Sequence, residues 1–163
     1  MAYQTTLHYN LALLRKAVLS FWWRVVGLRF LIVLTMLSAG LIYLLLQGDR
    51  SWQVGALATI IFLGISFLVL LYTNHYRNGL QKLKDMGAPQ ASFEASESLF
   101  SFKSGAGSAS FPWTTVTEIW RFDGYWLMLF SKAQFVTLPT TDIPLDFQTF
   151  ILERVRASGG AIV

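Results

Sequence analysis

Residues 30–46, FLIVLTMLSAGLIYLLL, and residues 52–72, WQVGALATIIFLGISFLVLLY, are two uncharged apolar runs separated only by Gln47, Gly48, Asp49, Arg50 and Ser51. A helix needs about 20 apolar residues to cross a hydrocarbon core of about 30 Å, and the second run has that length. The first is slightly shorter, but Val25, Val26, Gly27 and Leu28 extend it, and the long stems of Arg24 and Arg29 let their charges reach the headgroups. Each Leu, Ile, Val or Phe near a helix centre contributes roughly −0.3 to −0.6 kcal/mol, whereas one central charge costs about +2.5 to +3.5 kcal/mol. Neither run contains a charge. The alternative, two helices buried in a soluble core, needs more surrounding chain than the remaining residues supply. The runs therefore read as transmembrane helices.

So short a loop forces the two helices antiparallel, which puts both ends of the hairpin on one side of the membrane. Arg15, Lys16, Arg24 and Arg29 precede the hairpin and Arg77, Lys82 and Lys84 follow it, against Arg50 alone in the turn. The positive-inside rule then places both termini in the cytoplasm, which makes the expected location the cell inner membrane. Trp22, Trp23, Tyr43, Trp52, Tyr72 and Tyr76 fall near the boundaries, where amphipathic rings favour the headgroup layer. A cleaved signal peptide fits poorly, because the apolar run is too long for an h-region and a second span follows at once. The chain has no Cys, which excludes disulfides, thiolate metal sites and cysteine nucleophiles.

The net charge of +4 divides unevenly. Residues 1–87 carry eight Lys and Arg against Asp49 and Asp85, while residues 88–163 carry five against seven acidic side chains. The basic excess thus lies beside the spans, where it sets topology and attracts anionic lipid, and nucleic-acid binding is disfavoured.

Three regions follow. Residues 1–29 form a lead-in whose apolar positions Leu11, Leu14, Val18, Phe21, Trp22, Val25 and Val26 recur near a helical period, as in a membrane-surface helix or a continuous extension of the first span. Within it, Tyr3, Thr5, Leu7 and Tyr9 alternate weakly and suit a short strand of the tail domain. Residues 30–86 hold the hairpin and a helical extension from Tyr76 to Met86, ended by Gly87, Ala88 and Pro89. Residues 88–163 change character to short alternating runs rich in β-branched and aromatic residues: 91–95, 98–103, 108–111, 115–122, 125–131 and 135–138. Ser104 to Gly107 and Lys132 to Gln134 read as tight connections, and Asp123-Gly124 is the strongest hairpin signal. Asp146 suits the N-cap of a last helix with Phe147, Phe150, Ile151 and Val155 on one side, ended by Gly159-Gly160. The expected fold is a membrane α + β architecture, a transmembrane two-helix hairpin followed by a small antiparallel β domain closed by a C-terminal helix.

Phe93, Phe100-Ser101-Phe102, Pro112-Trp113-Thr114-Thr115-Val116, Trp126-Leu127-Met128-Leu129-Phe130, Phe135-Val136-Thr137-Leu138-Pro139, Phe147 and Phe150 follow one another in an order and spacing that resembles the tail domain of YcxB-like proteins. These are small bacterial membrane proteins with two spans, and the resemblance implies a cytoplasmic domain of pleckstrin-homology-like character. Where family members often carry Ile-Pro-Lys, this chain has Leu138-Pro139-Thr140, so no role of that Lys carries over. The family has no defined activity to transfer.

No constellation of catalytic residues is visible. Ser104-Gly105-Ala106-Gly107-Ser108 lacks the Lys and spacing of a phosphate loop and joins two strands. Neither G-x-S-x-G nor S-x-x-K occurs, and no His pair suggests a metal or a triad. His8 is isolated, and Glu94, Glu97, Glu118, Asp123, Asp142 and Asp146 are scattered over different strands and turns. The expectation is a non-enzymatic protein without cofactor or metal, an adaptor or membrane-complex subunit whose partners are the lipid bilayer and an unidentified protein, with homo-oligomerisation possible. Its candidate contact residues are Trp113, Trp120, Arg121 and Trp126, drawn from an aromatic group that divides between core and exposed patch. The alternative is an anionic-lipid-responsive regulator that uses a basic collar of Arg24, Arg29, His75, Arg77, Lys82 and Lys84. Small residues Thr35, Ser38, Ala39, Gly40, Gly55, Thr59 and Gly64 suit close helix approach, chiefly within the hairpin.

Overall fold

The computed structural model describes residues 3–131 and 134–163. Lys132 and Ala133 of the expected last connection lie outside the described residues. The chain divides into two compact units, Val18–Asn78 and a second that joins the chain up to Ala17 with Gly79–Val163. These divisions differ from the compositional boundaries at 29 and 87 because contacts, and not composition, hold a unit together.

The expected hairpin is present, built from α1 (Leu11–Leu46) and α2 (Trp52–Asp85), and its stretch Val18–Asn78 makes the first unit. Asn10 caps α1, its Oδ1 accepting the Leu13 N–H at 2.7 Å, which satisfies one of the orphan donors of a helix start. At the far end the N–H groups of Gly48 and Asp49 bond back to the carbonyls of Leu45 and Leu44, a Schellman closure. Asp49 Oδ1 then accepts the Ser51 N–H at 2.8 Å and turns the chain into α2.

Gly27 breaks α1, with φ 70° and ψ 152°, a backbone region essentially reserved for glycine. The lead-in is thus a separate helix, Leu11 to Val26, and the question between surface helix and continuous extension resolves toward a break. Trp22 Nε1 donates to the Leu68 carbonyl at 3.0 Å, and the Phe30 ring lies 6.3 Å from that of Phe67. Residues on both sides of the break therefore face one turn of α2. Gly64 sits where a Cβ would lie 3.1 Å from Leu34 Cδ1, whereas Gly40 and Gly55 face open space. Of the three glycines expected at a close approach, only Gly64 meets the neighbouring helix.

Both helices are long and apolar enough to cross a membrane. Their large side chains point outward: Leu28, Met36, Leu46, Phe62 and Leu70 are all more than half exposed. The hydroxyls of Thr35, Ser38, Thr59 and Thr73 donate to the carbonyl four residues back, so they need no water. Past residue 70 the only exposed large hydrophobics among the described residues are Leu99, Leu145 and Val163.

The second unit is the expected antiparallel β domain with its closing helix, arranged as two sheets. β1 (Tyr3–His8), β2 (Gln90–Ala95), β3 (Leu99–Ser104) and β4 (Gly107–Pro112) form one meander in that order. After a 3-10 turn at Trp113–Thr115, β5 (Glu118–Phe122), β6 (Tyr125–Ser131) and β7 (Gln134–Pro139) form the second. The expected strand from 115 starts later because Trp113–Thr115 coils at the corner between sheets. Asp123-Gly124 joins β5 to β6 as expected, with only Gly124 at positive φ. The weak N-terminal alternation is a true strand: β1 pairs with β2 from Tyr3↔Ala95 to His8↔Gln90.

α3 (Leu145–Ala157) starts after Pro144, so Asp146 is not its N-cap but lies in its first turn, where a carboxylate complements the helix dipole. Phe147, Ile151 and Val155 face the core with Phe150 packed against it, as the spacing predicts. Gly159-Gly160 ends α3, and the chain continues into β8 (Ala161–Ile162), which runs parallel to β5. The core between the sheets is aromatic. Phe147 stacks on Tyr3 at 4.9 Å and on Phe93 at 5.3 Å, and Phe100 packs on Trp113 at 4.8 Å. Two sheets closed by one helix agree with the pleckstrin-homology-like character that the resemblance implies.

Candidate interaction surface

Strand alternation divides the candidate contact residues between two faces. Trp126 and Met128 point into the inter-sheet core, together with Ile119 of β5. On the opposite face Trp120 pairs with Leu127, flanked by Tyr125 and Leu129, and all four are buried. The Tyr125 hydroxyl donates to the Lys16 carbonyl at 3.4 Å, so the first turns of α1 meet this face. A sheet covered on both faces reads as a continuous apolar run, which is what Tyr125 to Leu129 is.

Of the four residues expected to contact a partner, Trp113, Trp120 and Trp126 are therefore buried and only Arg121 is exposed. Each Trp found its partner inside the domain. Trp113 Nε1 donates to the Ser96 carbonyl at 2.9 Å, and Trp120 Nε1 to Glu118 Oε2 at 2.5 Å. The Arg121 guanidinium lies 5.7 Å from the Trp126 ring centroid, close enough for a cation–π contact. The aromatic density belongs to packing.

The basic collar residues Arg24, Arg29 and Arg77 are exposed in the first unit, and Lys82 and Lys84 are exposed in the second. Arg24 and Arg29 straddle the break at Gly27. His75 is half-buried, its ring 4.8 Å from that of Phe21 and its Nδ1 2.9 Å from the Leu71 carbonyl. A carbonyl only accepts, so Nδ1 carries the proton. His75 is anchored by its own helix.

The Gly-rich loop is a hairpin turn between β3 and β4. A Cβ at Gly105 would lie 2.1 Å from the Met86 carbonyl oxygen, so the glycine serves a close backbone approach. Among the described residues no three His, Cys, Asp or Glu come together as a metal set.

Sequence reasoning missed one polar cluster. Asp142, in the 3-10 turn Thr140–Asp142 after β7, accepts the His8 N–H at 2.6 Å through Oδ2, which also lies 3.3 Å from His8 Nδ1. Its backbone carbonyl accepts the Thr5 hydroxyl at 2.5 Å. Beside it the Tyr9 hydroxyl donates to the Thr137 carbonyl at 3.1 Å. Burial first, and the Asp142 charge second, push the Tyr9 phenol well above its ordinary range. The cluster ties β1 to the end of β7. It joins chain ends far apart in sequence, so no local pattern announced it.

No curated protein and no solved structure matches the chain. The model of the YcxB-like protein family matches residues 96–152, the stretch from the β2–β3 turn into α3, which carries Phe100, Trp113 and Phe147 of the aromatic core.

Proposed function

We propose that the chain is a non-enzymatic inner-membrane protein whose helical hairpin holds the β domain at the cytoplasmic face, as an adaptor or subunit of a membrane complex. The observation that carries this reading is the sharp division of apolar exposure. Side chains from Leu19 to Leu70 present large hydrophobic surface outward, while the β domain buries nearly all of its own. Water does not tolerate the first surface, and lipid does. The excess of Lys and Arg outside the turn supports cytoplasmic termini. With Trp113, Trp120 and Trp126 buried, partner contact falls to Arg121, the sheet edges and the outer face of α3.

The chain has no Cys, so single-cysteine labelling tests the topology without background. In intact cells an impermeant maleimide should label R50C and leave S98C unlabelled until lysis. Labelling of S98C in intact cells would overturn the cytoplasmic assignment. Gentle detergent extraction followed by mass spectrometry tests the adaptor role, and a chain that travels alone would refute it.

The exposure of Arg24, Arg29, Arg77, Lys82 and Lys84 favours the second reading, an anionic-lipid-responsive regulator. Reconstitution into vesicles with and without anionic lipid discriminates the two, because only the regulator changes the protease sensitivity of its β domain with lipid charge.

A further inference from the structure

We propose that a cavity beside the C-terminal end of α3 receives the carboxylate of an acidic, extended peptide, with Arg154 as the receiving group. The cavity measures about 280 Å³ and is lined by Glu97, Ser98, Trp113, Thr114, Arg154 and Ser158, among others. Its walls are fixed. Trp113 is held through Nε1 to the Ser96 carbonyl at 2.9 Å, and the Ser158 hydroxyl bonds the Trp113 carbonyl at 3.1 Å.

Arg154 stands out within this frame. Its guanidinium carbon lies 5.3 Å from the centroid of the Phe150 ring, and its Nε is sealed from solvent with no acceptor among the described residues. A buried donor without an acceptor costs about 1–3 kcal/mol, and more when charged. The planar Nε and Nη fork of Arg matches the two oxygens of a carboxylate. A small rotation of the guanidinium toward the cavity would give Nε the acceptor it lacks.

Two further features choose the ligand. Glu97 lines the same cavity and α3 ends beside it at Ala157, so a second negative charge on the ligand is penalised by the carboxylate and by the negative end of the helix dipole. That favours a carboxylate over a phosphate dianion. The cavity is below the roughly 300–1,000 Å³ of small-molecule sites and suits the end of an acidic side chain. β4 is the end strand of its sheet, its small side chains are exposed, and its last residue, Pro112, borders the cavity. An extended peptide paired along that edge would deliver its acidic side chain to Arg154.

This inference names the partner chemistry for the adaptor reading and rests on it, but its test is a titration and needs no co-purifying protein. The full chain, ¹⁵N-labelled in detergent micelles, is titrated with the singly charged acetyl-Ser-Glu-Ser-amide, with acetyl-Ser-Gln-Ser-amide and with inorganic phosphate, while the Arg154 Nε–H resonance is followed. The Glu peptide should shift that resonance saturably and the Gln peptide should not. R154K, which keeps the charge and loses the fork, should weaken binding about tenfold, read from the backbone amide of Ser98 at the cavity mouth, as expected for loss of one charge-assisted contact. S98E, an exposed substitution that brings a competing carboxylate to the cavity mouth, should weaken binding by a similar factor and decides the matter if R154K fails to fold. An unmoved Arg154 resonance, equal binding by the Gln peptide, tighter binding of phosphate, or undiminished binding in S98E would each overturn the proposal.

Discussion

Asp142 and Tyr9 show how few side chains close the β domain. Asp142 Oδ2 accepts the His8 N–H at 2.6 Å, and the Asp142 side chain is only 21% exposed. A hydrogen bond to a charged acceptor contributes roughly 1.5–3 kcal/mol. D142A should therefore lower the unfolding free energy of the domain by about 2 kcal/mol in urea titration, and D142N, which keeps an acceptor oxygen, should lower it less. Equal losses in both variants would show that the charge and not the acceptor matters. Tyr9 adds a pH dependence. Burial raises its folded pKa above the ordinary value near 10, so folding favours the neutral phenol. Below about pH 10 both states keep the proton and the contribution is fully present. As pH rises further the unfolded chain ionises first, and stability falls by up to about 1.4 kcal/mol per unit until the folded phenol also ionises. Melting temperatures of the parent and Y9F should converge between pH 9.5 and about 11, because only the parent carries this loss. A constant gap would remove Tyr9 as its source.

The regular elements were largely written in local sequence, and the exceptions have physical causes. The two apolar runs gave both long helices, and the alternating segments gave β2, β3, β4, β6 and β7 close to their observed bounds. Periodicity alone did not reveal the break in α1, since a lone glycine is tolerated within helices and only its φ of 70° shows the interruption. β8 escaped notice because two residues carry no alternation; it forms because the Ala161 and Val163 N–H groups reach the carbonyls of Thr117, just ahead of β5, and of Ile119 within it. The tryptophans were legible as an aromatic group divided between core and surface, but which of them is buried was not, because burial of the second sheet's outer face depends on what covers it. The break makes its own prediction. Nothing stands within 4 Å of a Cβ built on Gly27, so the penalty in G27A is backbone strain alone, about 1–3 kcal/mol. That strain should drive α1 toward a continuous helix. Spin labels at the exposed positions L19C and M36C would then move toward the roughly 26 Å of a straight helix, measured by pulsed dipolar EPR. An unchanged distance distribution in G27A would mean that packing against α2 holds the break without the glycine.

The chain threads its β domain from both sides of the hairpin, and this governs how it can be cut. β1 lies ahead of the first long apolar run and pairs along its whole length with β2, which follows the second. Leu7 of β1 is fully buried in the inter-sheet core, and Tyr3 stacks on Phe147 of α3 at 4.9 Å. Residues 88–163, the segment that composition marks off as a domain, lack this strand. Removing it would expose the β2 edge and forfeit the roughly 1.5–3 kcal/mol of a buried Leu side chain together with the stacked ring. The His8–Asp142 and Tyr9–Thr137 hydrogen bonds would go as well. Small domains have only about 5–15 kcal/mol of net stability, so these losses together reach the whole margin. The fragment 88–163 expressed alone should give a poorly dispersed amide spectrum and no cooperative melt. The same fragment with residues 1–17, which carry β1 and the first turns of α1, joined ahead of Ala88 by a flexible linker should recover both, because the linker replaces the hairpin as the connection between β1 and β2. L7A in the joined fragment should lower its stability by about 2–5 kcal/mol, which ties the recovery to the core position of β1 and not to added length. A cooperative melt of 88–163 without β1 would show that the strand is an accessory to a domain complete without it.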